Sequence, residues 1–218
     1  MGRDAGLILI TGGSGFIGNR VKQGLLGQGI PYRTLTRNPC GDLDEFIADL
    51  ASTTTLVDAC GGVATVFHCA GYAHAFSSLH HDDDATHWQI NFEGTRNLAE
   101  AAGEAGVRRF VFLSSVKAMA DPGHDCVDEL FVGQPTTAYG QSKLAAEAAV
   151  LEAGVRHGMH VVNLRLSMVY GAKGRGNLER MGRMVRKGWF PPLPETGNHR
   201  SLISLSIKCG CPPFSILS

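Results

Sequence analysis

At 218 residues the chain is long enough for one well-buried core, or one core with a small second unit. Hydrophobic residues make up 44% and charged residues 18%, which excludes a disordered or fibrous chain. Twenty Lys and Arg balance twenty Asp and Glu, so no global field draws the protein to nucleic acid or an anionic membrane.

Short apolar runs alternate with helical patterns along the chain. Residues 7–11, LILIT, read as a buried strand, and 16–29 as a helix closing at glycine. Residues 32–37 read as a second strand, 45–50 as a short third, and 53–61 as a helix. Residues 64–71 form the fourth strand. The polar run 77–86 then leads to a long helix over 87–106. Residues 108–116 are a fifth strand, followed by a loop of about 20 residues, long enough to suggest a functional segment. A helix over 137–158 and a sixth strand over 160–171 complete the pattern. Strands apolar on both faces, alternating with helices, imply an α/β fold with a doubly wound parallel sheet. Ligands of such sheets bind at the carboxyl ends of the strands, near the switch point. We expect a dinucleotide-binding Rossmann domain over 1–172 and a small, incomplete substrate lobe over 173–218.

No apolar run approaches bilayer length, and the first one is too short and too quickly broken by glycine for a signal peptide. A cytoplasmic location is the resulting expectation. The six cysteines, Cys40, Cys60, Cys69, Cys126, Cys209 and Cys211, form no CxxC pair and read as reduced, mostly buried thiols. HHDDDATH, residues 80–87, does not place its groups on one helix face, so no metal site is expected there. Asp84 or Thr86 would cap the following helix, with the rest solvated. The basic stretch 180–189 reads as a solvated helix face.

The first strand runs into LILITGGSGFIG. Both Gly13-x-Gly15-x-x-Gly18 and Gly12-x-x-Gly15-x-x-Gly18 fit the dinucleotide fingerprint, in the strand–turn–helix context it requires. Gly12 serves the tight turn, Gly15 the approach of a pyrophosphate, and Gly18 the close packing of helix on strand; Phe16 and Ile17 lie in the same binding turn. The second strand ends Leu35-Thr36-Arg37, without the acid that would hold an NAD ribose. Arg37 could pair with a 2′-phosphate, which favours NADP over NAD; an arginine at a loop start is also an ordinary solvated residue. Asp49 and Leu50, ending the third strand, could face the adenine edge, although Asp49 suits a cap equally well.

Tyr139 and Lys143 stand four apart at the start of a helix and so share a face. An ammonium near a phenol lowers the phenol's pKa and makes it a usable general acid/base for an alcohol–ketone interconversion. FLSS, ending the fifth strand, brings a serine to the same rim.

TGGSGFIG, HCAG, NFEGT, FVFLSSVK, YGQSK and LRLSMVYG occur in that order between about residue 7 and residue 205. With them the sequence resembles the extended short-chain dehydrogenase/reductases, in the NAD-dependent epimerase/dehydratase family. RRFVFLSSVKAM, KGWFPPLP and HRSLIS look most like bacterial nucleotide-sugar 4-epimerases and 4-keto-sugar reductases of surface-polysaccharide synthesis. The resemblance implies an oxidoreductase or isomerase that passes hydride between C4 of a nucleotide sugar and a nicotinamide. It implies Tyr139 as general acid/base, Ser115 rather than Ser114 bonding the same oxygen, and Lys143 on the nicotinamide ribose. It also implies Asn91 as a brace of the active-site backbone, and Cys69, Ala70 and Gly71 as cofactor lining. Asn177 and Arg200 match positions that meet the substrate diphosphate. A homodimer is compatible with the resemblance; a reductase of steroid-like carbonyls and a non-catalytic dinucleotide-binding remnant are the competing readings. Ala118-Met119-Ala120 and Ala172 depart from the family pattern, the former beside the substrate.

The resemblance stops near Leu205. SIKCGCPPFSILS has neither helical nor strand periodicity, and Pro212-Pro213 forbids a helix. We therefore expect a C-terminally truncated chain whose last residues are out of register.

Overall fold

A computed structural model of the chain describes residues 6–73, 82–120, 127–128, 131–171, 177–189 and 202–204. Six strands form one parallel sheet: β1 (Leu7–Thr11), β2 (Tyr32–Thr36), β3 (Glu45–Ile47), β4 (Val63–His68), β5 (Arg109–Ser115) and β6 (His160–Leu166). Their order is β3-β2-β1-β4-β5-β6, with every neighbouring pair parallel. The sheet is therefore doubly wound, as the alternation of strand and helix implies. Its order reverses between β1 and β4, which opens a crevice at their carboxyl ends.

Both faces of the sheet are covered. Leu9 of β1 packs with Val66, Phe110 and Phe112 against α2 (Thr53–Ala59), α4 (Gly94–Glu104) and α5 (Ala138–His157). Ile8 and Ile10 point the other way, onto Leu25 of α1 (Phe16–Gly27). This two-sided burial is why β1 reads as a continuous apolar run, each such side chain contributing about 1.5–3 kcal/mol. Buried alanines, Ala99 and Ala102 on α4 with Ala146 and Ala153 on α5, belong to one cluster that leaves little room between the helices. Glu100 then accepts from Arg156 at 2.6 Å and His157 at 2.9 Å, tying the end of α5 to α4.

Several element boundaries differ from the sequence reading. The third strand stops at Ile47, because the chain turns once Ala48 N–H has bonded the Thr36 carbonyl. The fourth stops at His68 rather than running to residue 71. The sixth breaks at Ser167: Met168–Tyr170 leaves the main sheet as β7 and pairs with β8 (Leu202–Ser204). The long helix begins earlier than expected, as α3 (Asp82–His87), passes through a π-helical turn at Trp88–Glu93, and continues as α4. Asp84 and Thr86 therefore sit inside a helix and do not cap one. The basic stretch lies largely in α6 (Asn177–Arg186). The expected boundary at 172/173 and the irregular tail from residue 206 fall outside the described residues.

His68 closes the end of β4 from within. Its Nδ1 lies 2.6 Å from the Thr11 hydroxyl and its Nε2 2.8 Å from the Thr95 hydroxyl, so one imidazole bridges β1 and α4. Burial first, and then the nearby Lys143 charge, push its pKa down from 6.5 to about 3. Between those values the unfolded chain binds a proton that the folded chain refuses. Stability is thus held above pH 6.5 and lost as pH falls toward about 3. Urea unfolding at pH 7 and pH 5 is expected to show about 2 kcal/mol of this loss in the wild type. His68→Gln should show correspondingly less; an unchanged difference would exclude His68 as its source.

Candidate functional site

The crevice is floored by the glycine turn. Gly12 has φ +67°, and a Cβ there would lie 2.6 Å from the Ala70 nitrogen, so only glycine fits without moving β4's exit. Gly15 caps α1 with its backbone carbonyl, which accepts from Asn19 N–H at 3.0 Å, while its own N–H closes the turn on the Gly12 carbonyl at 2.9 Å. A Cβ on Gly18 would strike the Gly12 carbonyl oxygen. α1 has no side-chain cap and no acid in its first turn. Its first N–H groups and its positive dipole end thus suit a pyrophosphate. Phe16 and Ile17 are half-buried just behind this turn.

On one flank Arg37 is exposed, one residue past β2. The following loop carries an acid that the strand-end rule did not find. Asp42 folds back onto α1 and β2, accepting from Lys22 Nζ at 2.7 Å and from the Thr34 hydroxyl at 2.7 Å. Asp49 accepts from Ala51 N–H at 2.9 Å in the turn that leads to α2. Leu50 is half-buried; its carbonyl accepts from Asn97 at 3.0 Å. Cys40 is exposed, against the expectation of mostly buried thiols, while Cys60 is buried and Cys69 half-buried. All three described cysteines are free.

The opposite flank is a short strip, Cys69-Ala70-Gly71. Cys69 N–H donates to the Thr11 carbonyl at 3.2 Å and Ala70 N–H to the Thr11 hydroxyl at 3.1 Å. A Cβ on Gly71 would lie 3.2 Å from Asn91 Oδ1 and 3.3 Å from Lys143 Nζ. Three residues thus connect the glycine turn at Gly12 to Lys143. Asn91, fully buried, accepts from Tyr72 N–H at 2.7 Å and donates to the Tyr72 carbonyl at 2.9 Å, which clamps the backbone leaving the strip.

Beyond the strip Tyr139 bonds Ser115, and Lys143 stands one turn further along α5. Thr137 caps α5 by accepting Gly140 N–H at 3.1 Å. A Cβ on Gly140 would press into the Lys117 carbonyl, so this helix start sits directly on the 3₁₀ turn that follows β5. That contact brings Tyr139 to Ser115. The Ser114 hydroxyl is buried and makes no hydrogen bond. Lys143 is 4% exposed; its Nζ donates to the Leu113 carbonyl at 2.9 Å and lies 4.5 Å from the Phe112 ring centre. Burial pushes its pKa down to about 8, against the pull of Cys69 and Glu147. Tyr139 departs from the expected sign. Burial raises its phenol above the usual range and hydrogen bonding with Ser115 works the other way; Lys143 does not figure among the causes. Nearby, Ala120 holds φ +100°, a strained backbone position at the departure from the family pattern.

A model of the NAD dependent epimerase/dehydratase family matches residues 8–188. The chain belongs to that family. UDP-glucose 4-epimerase of Vibrio cholerae is 31% identical to it over 210 residues, 91% of this chain and 63% of that protein. A 3-beta-hydroxysteroid dehydrogenase of Mycolicibacterium neoaurum is 30% identical, covering 77% of this chain and 49% of its own length. Among solved structures, MoeE5 in complex with UDP-glucose and NAD superposes with a TM-score of 0.74 at 31% identity, over 83% of this chain and 61% of that one. This epimerase/dehydratase chain thus spans about half to just under two-thirds of these proteins. Family members include epimerases and dehydrogenases, so it is an enzyme by family.

The sequence reading of this family member passed over His87, assigned to a solvated run. It is buried, with its ring edge-on to Tyr139 at 5.5 Å and to Tyr72 at 4.9 Å, and its Nδ1 lies 3.2 Å from Asn91 Nδ2. The available signal was the spacing of His87, Asn91 and Thr95, each four apart. In an α-helix such positions drift by about 40° per step, so the set would fan out by about 80°. The wider π turn between them counters this drift, and π turns are frequent at functional sites. Asn177 opens α6, and its side chain is outside the described residues, as is all of Arg200. No described helix is long and apolar enough to cross a membrane.

Proposed function

We propose that this chain binds a nicotinamide dinucleotide along the Gly12–Ala70–Lys143 strip and acts at C4 of a nucleotide sugar, as a 4-epimerase or 4-ketoreductase. The observation that carries the reading is the bonding of Tyr139 to Ser115, with Lys143 one turn further along α5, at one end of the strip and the glycine turn at the other. A bound nicotinamide would supply the hydride acceptor and donor. Tyr139 would take the proton of the C4 hydroxyl or return it to the 4-keto oxygen, with Ser115 orienting that oxygen. Burial favours the protonated phenol, so Tyr139 stands ready in the acid sense. Lys143, held on Leu113 beside Gly71, would grip the ribose. Asn177 and Arg200 are proposed to meet the diphosphate. The similarity to a UDP-glucose 4-epimerase and to MoeE5 bound to UDP-glucose supports a UDP-sugar, and surface-polysaccharide synthesis is the setting we propose.

NADP is the form we favour. Arg37 is the exposed group at the end of β2, and the nearby acid, Asp42, is already engaged by Lys22 and Thr34. Replacing Arg37 by Asp should weaken NADPH binding about tenfold or more and leave NADH little changed. Equal losses for both would remove the argument for a 2′-phosphate contact.

The 30% identity to a steroid dehydrogenase keeps a second reading, a reductase of a steroid-like carbonyl. UDP separates the two: it should raise the melting temperature of a nucleotide-sugar enzyme and leave a steroid enzyme unmoved. Interconversion of UDP-glucose and UDP-galactose without net NADPH marks an epimerase; consumption of NADPH with a UDP-4-keto-sugar marks a reductase. Dinucleotide binding without either reaction would sink the catalytic reading.

A further inference from the structure

Lys143 and Glu147 are four apart on α5, the spacing at which a lysine and a glutamate ordinarily pair. Both are 4% exposed, where such a pair would be hard to break. Instead Lys143 donates to the Leu113 carbonyl, and the Glu147 carboxylate is taken by Arg165 of β6. Arg165 Nε reaches Oε1 at 3.0 Å and Oε2 at 3.1 Å, and Nη2 reaches Oε2 at 2.7 Å, so both oxygens are held in one planar fork. Asn163, two residues earlier on β6, donates to the Glu147 backbone carbonyl at 3.3 Å and fixes the same turn of the helix. Ser114, the penultimate residue of β5, pairs in register with Arg165.

We propose that Arg165 is a positioning residue for Lys143: its fork holds the Glu147 carboxylate away from the ammonium, which leaves Lys143 on Leu113 and beside Gly71. The ribose-gripping consequence rests on the dinucleotide reading above; the placement of Lys143 does not. Cys69, just past β4, and Glu147, on its own helix, act on Lys143, and Lys143 acts in turn on His68; Tyr139 stands one turn before it on α5. Of these, Glu147 is the carboxylate. Freed from Arg165, it would draw Lys143 toward itself and hold the ammonium protonated to higher pH.

The test is suppression. Lysine side chains are labelled with ¹³C and Lys143 is followed by NMR through a pH titration, while NADPH and NADH affinity is measured by fluorescence. Arg165→Met is expected to raise the Lys143 midpoint by about one pH unit or more and to weaken dinucleotide binding about tenfold. Adding Glu147→Gln should restore most of both. Glu147→Gln alone, which leaves Lys143 nothing to be drawn to, should stay within about half a pH unit of the wild type. A folded double variant that behaves like Arg165→Met, or a Glu147→Gln variant that reproduces its losses, would overturn the proposal and make the pair a simple brace. If R165M does not fold, E147Q and the double variant decide alone. A wild type that binds neither dinucleotide would overturn the reading of the site, and the NMR titration would still judge the fork.

Discussion

Tyr139→Phe is expected to lower turnover by about 10²–10⁴-fold, the range for losing a positioned general acid/base, with dinucleotide affinity and melting temperature close to wild type. The ring stays edge-on to His87, at 5.5 Å between the Tyr139 and His87 centroids, and only the hydroxyl facing Ser115 is lost. Since burial already opposes ionisation of that phenol, removing it should not destabilise the chain. An equal fall in affinity and turnover would mean that the substitution disturbed the site, and an unchanged rate would remove Tyr139 from the chemistry. Ser115→Ala should follow in the same direction with a smaller loss, because the serine orients the oxygen without exchanging the proton.

Gly18→Ala is expected to weaken dinucleotide binding by about tenfold or more and to cost about 1–3 kcal/mol of stability, the range for overpacking a close contact. The added methyl would meet the Gly12 carbonyl oxygen, with Gly12 C at 2.8 Å and Gly13 Cα at 3.0 Å. These are backbone atoms of the turn itself, so α1 must lift off β1 and open the anion site. Gly27, at the other end of the same helix, is the control. A Cβ there meets nothing within 4 Å, and alanine gains helix propensity. Gly27→Ala should therefore be neutral or slightly stabilising, by up to about 1 kcal/mol, with binding unchanged. Fluorescence titration and urea melts of both variants check the contrast; equal effects would show that the turn is not packed as described.

The sheet was legible because its strands are buried on both sides. β1 and β5 carry unbroken apolar runs and β4 one interrupted only by Thr65, and a parallel sheet covered by helices is the arrangement that buries such runs. The glycine turn was legible because its constraints are local: a positive φ at Gly12 and a close approach at Gly18 leave glycine in fixed places. What escaped depends on partners distant in sequence. The sixth strand looked unbroken past Ser167, because the partner that draws Met168 away is Leu202. Asp42 lies beyond the strand-end position, and only the folded loop brings it to Lys22 and Thr34. His68 hid in an apolar run and His87 in a charged one; each is placed by neighbours from other elements. The sign of the Tyr139 shift was missed for a related reason. A sequence shows the lysine four residues on, but not the burial that raises the phenol, nor the Leu113 carbonyl that takes the ammonium.

The account turns on whether hydride leaves C4 of a nucleotide sugar under the control of Tyr139. UDP-glucose carrying deuterium at C4 would be incubated with the full chain and oxidised cofactor, and the nicotinamide examined by mass spectrometry. Deuterium on the nicotinamide (ketoreductase) or at C4 of UDP-galactose (epimerase) with the wild type, and about a hundredfold less of it with Tyr139→Phe in the same time, is the predicted result. Labelled UDP-glucose left unchanged by the wild type, or either labelled product formed equally well by Tyr139→Phe, would contradict it.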